Sequence, residues 1–152
     1  MLFNKQLFKH NPENGIIGDC HRTAIACILN LQPEDVPHFM GEFWLEDVAN
    51  GTCKANKAFD DWLESKNLLI ANTPYECSLE VLLECQSVQN PKAIYILGGT
   101  SKNGTNHSVV AKGGEIIWDP AIDSSDIVGP MDDGFYWVSY LVSIEYGVDN
   151  GS

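Results

Sequence analysis

Apolar residues recur with the helical period in three segments of the chain, and each segment predicts a helix. The first spans residues 20–30, the second 55–66, and the third begins after Ser78, a favourable N-cap residue. The apolar positions that carry the pattern are Ala24, Ile25, Ile28 and Leu29; Ala58, Phe59, Trp62 and Leu63; and Leu79, Leu82 and Leu83. Asp19 stands at the N-cap position of the first helix.

Short apolar runs, typical of strands, dominate the second half of the chain. They cover residues 68–71, 93–97, 108–112, 115–118 and 135–142. Gly98-Gly99 is expected to end the second run, and Gly113-Gly114 joins the third to the fourth as a hairpin. Because helices dominate the first half and strands the second, we predict an α+β fold with an antiparallel sheet.

The chain has 152 residues, the usual size of one domain, and we find no internal repeat, low-complexity tract or linker. We therefore predict one domain over residues 1–152. An apolar content of 44% is ordinary for a globular protein and sufficient for a core without metals or disulfides.

Nine basic and 21 acidic residues give the chain a formal net charge of −12. A surface this negative repels phosphate backbones, so a nucleic-acid partner is not expected. The same charge favours a cationic substrate or partner, although solubility alone also explains it.

The five cysteines do not form a disulfide pattern, because their number is odd and their spacing shows no tight pairing. They are Cys20, Cys27, Cys53, Cys77 and Cys85. We find no signal peptide and no apolar run long enough to span a membrane, so a reducing, cytoplasmic compartment is expected. The sequence contains no Cys-x-x-Cys pair of the kind that binds a metal, and Gly98–Gly104 lacks the Gly-Lys-Ser/Thr order of a phosphate-binding loop. We therefore expect neither a metal nor a cofactor. This loop is expected to line a site before His107.

Cys20 stands at the predicted start of the first helix. The positive potential and unpaired N–H groups of a helix N-terminus favour thiolate over thiol. The same N–H groups can stabilise an oxyanion on a carbonyl that the sulfur attacks. Considered alone, Cys20 is better explained as a half-buried structural cysteine.

His107 and Asp119 lie near the two ends of the predicted hairpin. If residues 112–114 form a three-residue turn, His107 lies opposite Asp119 with both side chains on one face. A two-residue turn would instead pair His107 with Pro120. Each residue alone has a simpler explanation. His107 can be a surface histidine at a strand edge, and Asp119 can be part of an Asp-Pro pair that opens a turn. With Cys20, however, the two complete a candidate catalytic triad.

Two motifs resemble the papain-like cysteine peptidases, and most closely the branch that processes bacteriocins. Gly18-Asp19-Cys20, followed by Ala24, Ala26 and Leu29, is similar to the nucleophile helix of that branch. Asn106-His107-Ser108-Val109-Val110 and Trp118-Asp119-Pro120 are similar to its histidine strand and its Asp-Pro ending. Over most of its length the chain also resembles small uncharacterised phage and bacterial proteins.

The resemblance implies a papain-like fold, in which an N-terminal helix bearing the cysteine packs on a sheet bearing the histidine and the aspartate. It implies Cys20 as nucleophile, His107 as general base and Asp119 as the group that orients His107. It also implies an oxyanion-stabilising amide six residues before the cysteine, where this chain has Asn14 in place of the usual glutamine. If Asn14 only shapes a turn, that role falls to Asn11, to Gln6 or to backbone N–H groups alone. The chain departs again at His21, where the family has glycine; this ring either narrows the site or is an exposed first-turn residue.

The expected function is therefore cysteine-dependent hydrolysis of an amide, peptide or isopeptide bond through a thioester acyl-enzyme. The expected partner is a protein, a peptide or a small amide, in the cytoplasm, or in the host cytoplasm if a phage encodes the chain. Two alternatives remain open: an acyltransferase or deamidase that uses the same triad, and a non-catalytic binding protein on the same scaffold.

Overall fold

The computed structural model describes residues 1–144, which form four α-helices and one five-stranded antiparallel sheet. The helices are α1 (Cys20–Leu29), α2 (Phe39–Asn50), α3 (Lys54–Ser65) and α4 (Leu79–Gln89). The strands are β1 (Leu68–Tyr75), β2 (Ile94–Thr100), β3 (Asn106–Lys112), β4 (Glu115–Trp118) and β5 (Tyr136–Ser143). The α+β class is thereby confirmed. Within residues 1–144 no helix has the length and apolar character that crossing a bilayer requires.

The sheet has the strand order β1-β5-β2-β3-β4 and separates two hydrophobic clusters. Side chains alternate along the strands, so Leu97 and Val109 pack with Leu82 of α4 on one face. Ile96 and Val110 pack with Ile25 of α1 on the other face. The sheet therefore lies between α4 and α1, and α1 is the helix that begins at Cys20.

The β3–β4 hairpin differs from the three-residue turn that would place His107 opposite Asp119. Lys112 pairs with Glu115, so Gly113-Gly114 forms a two-residue turn. Gly113 has φ +54, and a Cβ there would lie 2.5 Å from the Pro91 carbonyl oxygen, which explains the glycine. A register shift follows between Val110 and Ala111, and β4 ends at Trp118, so Asp119 lies beyond the ladder.

Two strands continue past residues that were expected to end them. β1 runs through Pro74 to Tyr75, which a sheet tolerates because β1 is an edge strand. β2 runs through Gly98-Gly99 to Thr100. A Cβ at Gly99 would lie 2.6 Å from Ile127 and 2.7 Å from the Gly129 carbonyl oxygen, so this glycine permits close packing and does not end the strand.

Helix α2 was not predicted from the sequence. It begins after Pro37 and ends at Gly51, whose φ of +63 is a normal C-terminal signal. None of its residues, all of which the structure describes, is fully buried; Phe39, Phe43 and Trp44 are half-buried, and the Phe39 ring contacts Phe59 of α3. The Asp47 carboxylate joins α2 to α3 by accepting hydrogen bonds from the backbone N–H groups of Lys54, at 2.8 Å, and Ala55, at 3.0 Å.

The segment before α1 connects that helix to the end of the hairpin. The Leu2 N–H donates to the Cys27 carbonyl at 3.2 Å, and the Trp118 indole donates to the Asn4 carbonyl at 2.8 Å. The Gln6 N–H donates to the Pro120 carbonyl at 2.8 Å. These hydrogen bonds bring the N-terminal residues alongside Asp119 and the first turn of α1.

Candidate active site

A cleft of about 600 Å³ separates the start of α1 from the sheet, and it contains both Cys20 and His107. The loop between β2 and β3 contributes Ser101, Asn103, Gly104 and Thr105 to its lining. Of the predicted segment Gly98–Gly104, the first three residues instead belong to β2 and are not part of the lining. Met40 and Trp44 of α2 line the cleft as well. A cleft of this size admits an extended peptide segment or a small molecule.

Cys20 is half-buried at the first position of α1, where the helix N-terminus was predicted to favour the thiolate. Asp19 occupies the N-cap position, but its side chain does not cap the helix as expected. Its carboxylate, almost fully buried, accepts hydrogen bonds from the N–H groups of Leu7 and Phe8 and pairs with Arg22 at 3.0 Å. The carboxylate therefore holds the N-terminal segment, and it leaves the first-turn N–H groups without that side-chain acceptor.

His107 and Asp119 are in direct contact although the sheet ladder does not pair them. His107 Nε2 lies 2.7 Å from Asp119 Oδ1, and only 5% of His107 is exposed. The backbone N–H groups of Ala121 and Asp126 also donate to this carboxylate, both at 2.8 Å. A loop that turns back on the aspartate, rather than strand register, therefore aims Asp119 at the imidazole.

The site favours the protonated form of His107. Burial opposes the charge, but the hydrogen bond with Asp119 and the interaction with nearby Cys20 outweigh burial and raise the pKa of His107 to about 9. Because Nε2 is bound to Asp119, Nδ1 is the ring nitrogen left for Cys20. Burial also opposes ionisation of Asp119, but hydrogen bonds from His107, Ala121 and Asp126 hold the pKa of its carboxyl below the usual value.

Asn14 does not join these residues. It ends a short 3₁₀ turn, Pro12–Asn14, has an exposed side chain and is not among the residues that line the cleft. Its backbone N–H donates to the Asn11 carbonyl at 3.1 Å, as expected of a residue that shapes a turn. Three other side-chain amides, Gln6, Asn103 and Asn106, line the cleft with Cys20, and Gln6 also donates a hydrogen bond to the Phe8 carbonyl.

His21 is half-buried, so it is not an exposed first-turn residue. Its Nδ1 lies 3.4 Å from Ser108 Oγ, and its ring meets the edge of the Phe59 ring at a centroid distance of 5.6 Å. Burial lowers the pKa of His21, so the ring is neutral near pH 7. His21 lines a smaller pocket of about 90 Å³, which shares Gly18 and Met40 with the main cleft.

Reasoning from the sequence missed the contribution of α2 to the cleft, and it offered Gln6 only as one substitute for Asn14. Met40 and Trp44 are four residues apart, the spacing that places two side chains on one face of a helix. Recognising α2 as a helix would have found this pair. No local signal identifies Gln6, because contacts distant in sequence bring its segment to the cleft.

Comparison with protein-family models, with curated proteins and with solved structures finds no match to this chain.

Proposed function

We propose that this protein is a cysteine hydrolase that cleaves an amide, peptide or isopeptide bond through a thioester acyl-enzyme. One observation carries the proposal: His107, hydrogen-bonded to Asp119 at 2.7 Å, lines the same open cleft as Cys20 at the start of α1. A nucleophile, a base and a group that orients the base are the three parts this chemistry requires.

The reaction starts from the Cys20 thiolate and the His107 imidazolium. The sulfur attacks the substrate carbonyl, and the C=O electron pair moves to oxygen to form the tetrahedral oxyanion. His107 then gives its proton to the leaving nitrogen, the C–N bond breaks, and an amine leaves a thioester on Cys20. In the second half His107 removes a proton from water, the hydroxide attacks the thioester, and the acid leaves as the thiolate returns. Asp119 stays ionised throughout and stabilises the imidazolium.

Two kinds of donor can stabilise the oxyanion. The backbone N–H of Cys20 belongs to the unpaired N–H groups of the α1 start, and such groups are strong donors in a cleft. We assign the side-chain role to Gln6 because, of the cleft amides, it belongs to the segment whose Leu7 and Phe8 N–H groups bind Asp19, the residue before Cys20. Asn14 is exposed outside the cleft, so the proposal does not use it.

The arrangement of secondary structure is consistent with a papain-like scaffold. α1 bears Cys20 and packs on a sheet whose β3 strand bears His107. Five free thiols agree with a reducing, cytoplasmic compartment. The cleft lining includes Asp132 and also Asp123, which is paired with Lys9 of the same lining at 2.8 Å. Asp132 and the net charge of −12 favour a substrate that carries a cationic group.

Selective modification of Cys20 tests the nucleophile. Iodoacetamide should alkylate Cys20 faster than the other four cysteines, because only Cys20 contacts His107 at a helix N-terminus within the described residues. Time-resolved peptide mass spectrometry would measure the five rates, with His107→Ala as the variant that removes the advantage. Equal rates at all five sites would contradict the proposal.

Acylation with p-nitrophenyl acetate separates an enzyme from a binding protein and includes a matched pair of amide variants. An acetyl group should appear on Cys20 and then leave by hydrolysis. Gln6→Ala should slow acylation by about 100-fold or more, since one oxyanion donor is typically worth that much. Asn14→Ala, the exposed control, should leave the rate unchanged. Transfer of the acetyl group to an added amine in preference to water would favour the acyltransferase alternative.

A further inference from the structure

We propose that His21 and Ser108 form a positioning contact that sets the distance between Cys20 and His107. This inference rests on the proposed roles of Cys20 and His107. The family resemblance does not explain His21, and the proposal gives this residue a function in the geometry of the site.

The contact joins the immediate neighbours of the two reacting residues. His21 follows Cys20 in α1, and Ser108 follows His107 in β3. The 3.4 Å hydrogen bond between His21 Nδ1 and Ser108 Oγ therefore ties the first turn of the helix to the start of the strand. Because consecutive Cα atoms are about 3.8 Å apart, a bond between the neighbours limits how far the sulfur and the imidazole can separate.

Both partners are restrained by the surrounding structure. Ser108 is only 5% exposed and lies two residues before Val110, on the sheet face that packs against α1. The His21 ring is held from the other side by the edge of Phe59 of α3. The remaining contacts across this layer include apolar ones, such as Ile25 with Val110, and apolar contacts have no preferred direction. A hydrogen bond is directional, so it fixes the position of α1 relative to β3 in a way that apolar packing alone does not.

A neutral imidazole suits this position. Burial lowers the pKa of His21, so no second cation forms beside the His107 imidazolium. The charged groups nearby, Asp19 and Arg22, pair with each other at 3.0 Å. The Ser108 hydroxyl both donates and accepts, so it can bond either tautomer of the neutral ring.

The test measures the rate at which iodoacetamide alkylates Cys20. It compares variants that lose the His21–Ser108 hydrogen bond with a variant that can form a similar hydrogen bond. His21→Phe keeps a ring but loses Nδ1, and Ser108→Ala loses the hydroxyl. Each should slow Cys20 alkylation by about 3- to 10-fold, the range expected for one net hydrogen bond, and should shift the pH profile of the rate. The double variant should be no slower than either single one, because both substitutions break the same contact. His21→Asn places an amide near the position of Nδ1 and should restore most of the rate.

Ser139→Ala is the matched control for a structural effect. Ser139 is also a buried serine in the sheet, and its hydroxyl donates to Asn72 Oδ1 at 2.6 Å. This variant should lower the melting temperature without changing Cys20 alkylation. If His21→Phe and Ser108→Ala behave like Ser139→Ala, the contact is structural only and the inference fails. If the wild-type protein shows no selective alkylation of Cys20, the proposed function itself fails.

Discussion

The two walls of the cleft differ in how firmly burial and hydrogen bonds hold their side chains. On the sheet side, His107 is 5% exposed and Asp119 accepts three hydrogen bonds at 2.7–2.8 Å. On the helix side, Met40 and Trp44 extend from α2, a helix within which no residue is fully buried. The difference indicates that His107 and Asp119, to which we propose roles in the chemistry, are held tightly, whereas the side chains of the α2 wall have more room to adjust.

The attachment of α2 supports this contrast. At its start, His38 Nε2 lies 2.9 Å from the Ile17 carbonyl oxygen, and the His38 ring stacks on Phe8 at 5.8 Å. At its end, Asp47 holds the start of α3. The helix is thus fastened at both ends while its middle, including Leu45 at 71% exposure, remains open to solvent.

The largest expected effect comes from breaking the sheet wall. Asp119→Ala removes the partner of His107 and leaves the Ala121 and Asp126 N–H groups without their acceptor. We expect acylation of Cys20 by p-nitrophenyl acetate to fall by about 1000-fold or more. Unfolding free energy, measured in urea, should fall by about 2–4 kcal/mol.

Asp119→Asn separates these two losses. Its amide keeps the shape and one oxygen acceptor for the loop, but it lacks the charge that stabilises the imidazolium. We expect it to recover most of the stability and little of the activity. Full activity in Asp119→Asn would show that Asp119 holds the loop without taking part in the chemistry.

A smaller effect is expected when the helix wall is changed. Trp44→Ala removes an apolar surface that faces the cleft, whereas Leu45→Ala changes the neighbouring side chain on the exposed side of α2. Inactivation of Cys20 by a bulky aromatic peptidyl chloromethyl ketone should slow by about 10-fold in Trp44→Ala, equivalent to about 1.4 kcal/mol of contact. Inactivation by iodoacetamide should not change. Equal effects of Trp44→Ala and Leu45→Ala would remove α2 from the recognition surface.

The smallest effect is a dependence of stability on pH that belongs to the sheet wall. The pKa of His107 is raised from 6.5 to about 9, so the folded protein binds a proton more tightly than the unfolded chain does. This stabilisation is complete below about pH 6.5 and is lost as the pH rises to about 9. Urea unfolding of the wild-type protein should therefore show falling stability across this interval. The difference between the wild-type protein and His107→Ala isolates the effect, and parallel curves for the two proteins would contradict it.

Local patterns predicted most of the secondary structure. The helical period located α1, α3 and α4, and Ser78 caps α4 as expected, with its hydroxyl accepting from the Val81 N–H at 3.2 Å. Apolar runs located all five strands, although β1, β2 and β3 are longer than predicted. These signals succeed because they depend on residues a few positions apart. Helix α2 was missed because it buries no complete face that a periodic pattern could reveal.

Predictions about the site succeeded or failed according to whether they depended on distant segments. Cys20 is at the start of α1, as the local pattern indicated. His107 does contact Asp119, but through the loop after β4 and not through the predicted ladder, because the turn has two residues and the register shifts. The Asp19 side chain binds the N-terminal segment instead of capping α1, and Asn14 lies outside the cleft.

The sequence by itself determined the α+β class, most of the elements and the residues at the start of α1 and in β3. Each follows from propensity or periodicity within one segment, where the chain has few ways to satisfy its backbone hydrogen bonds. The tertiary structure decided which polar groups meet: Gln6 rather than Asn14 in the cleft, and His21 against Ser108, 87 positions along the chain. Such long-range contacts depend on how the helices pack on the sheet. They also depend on strand register, because shifting a strand by one residue turns its side chains to the opposite face.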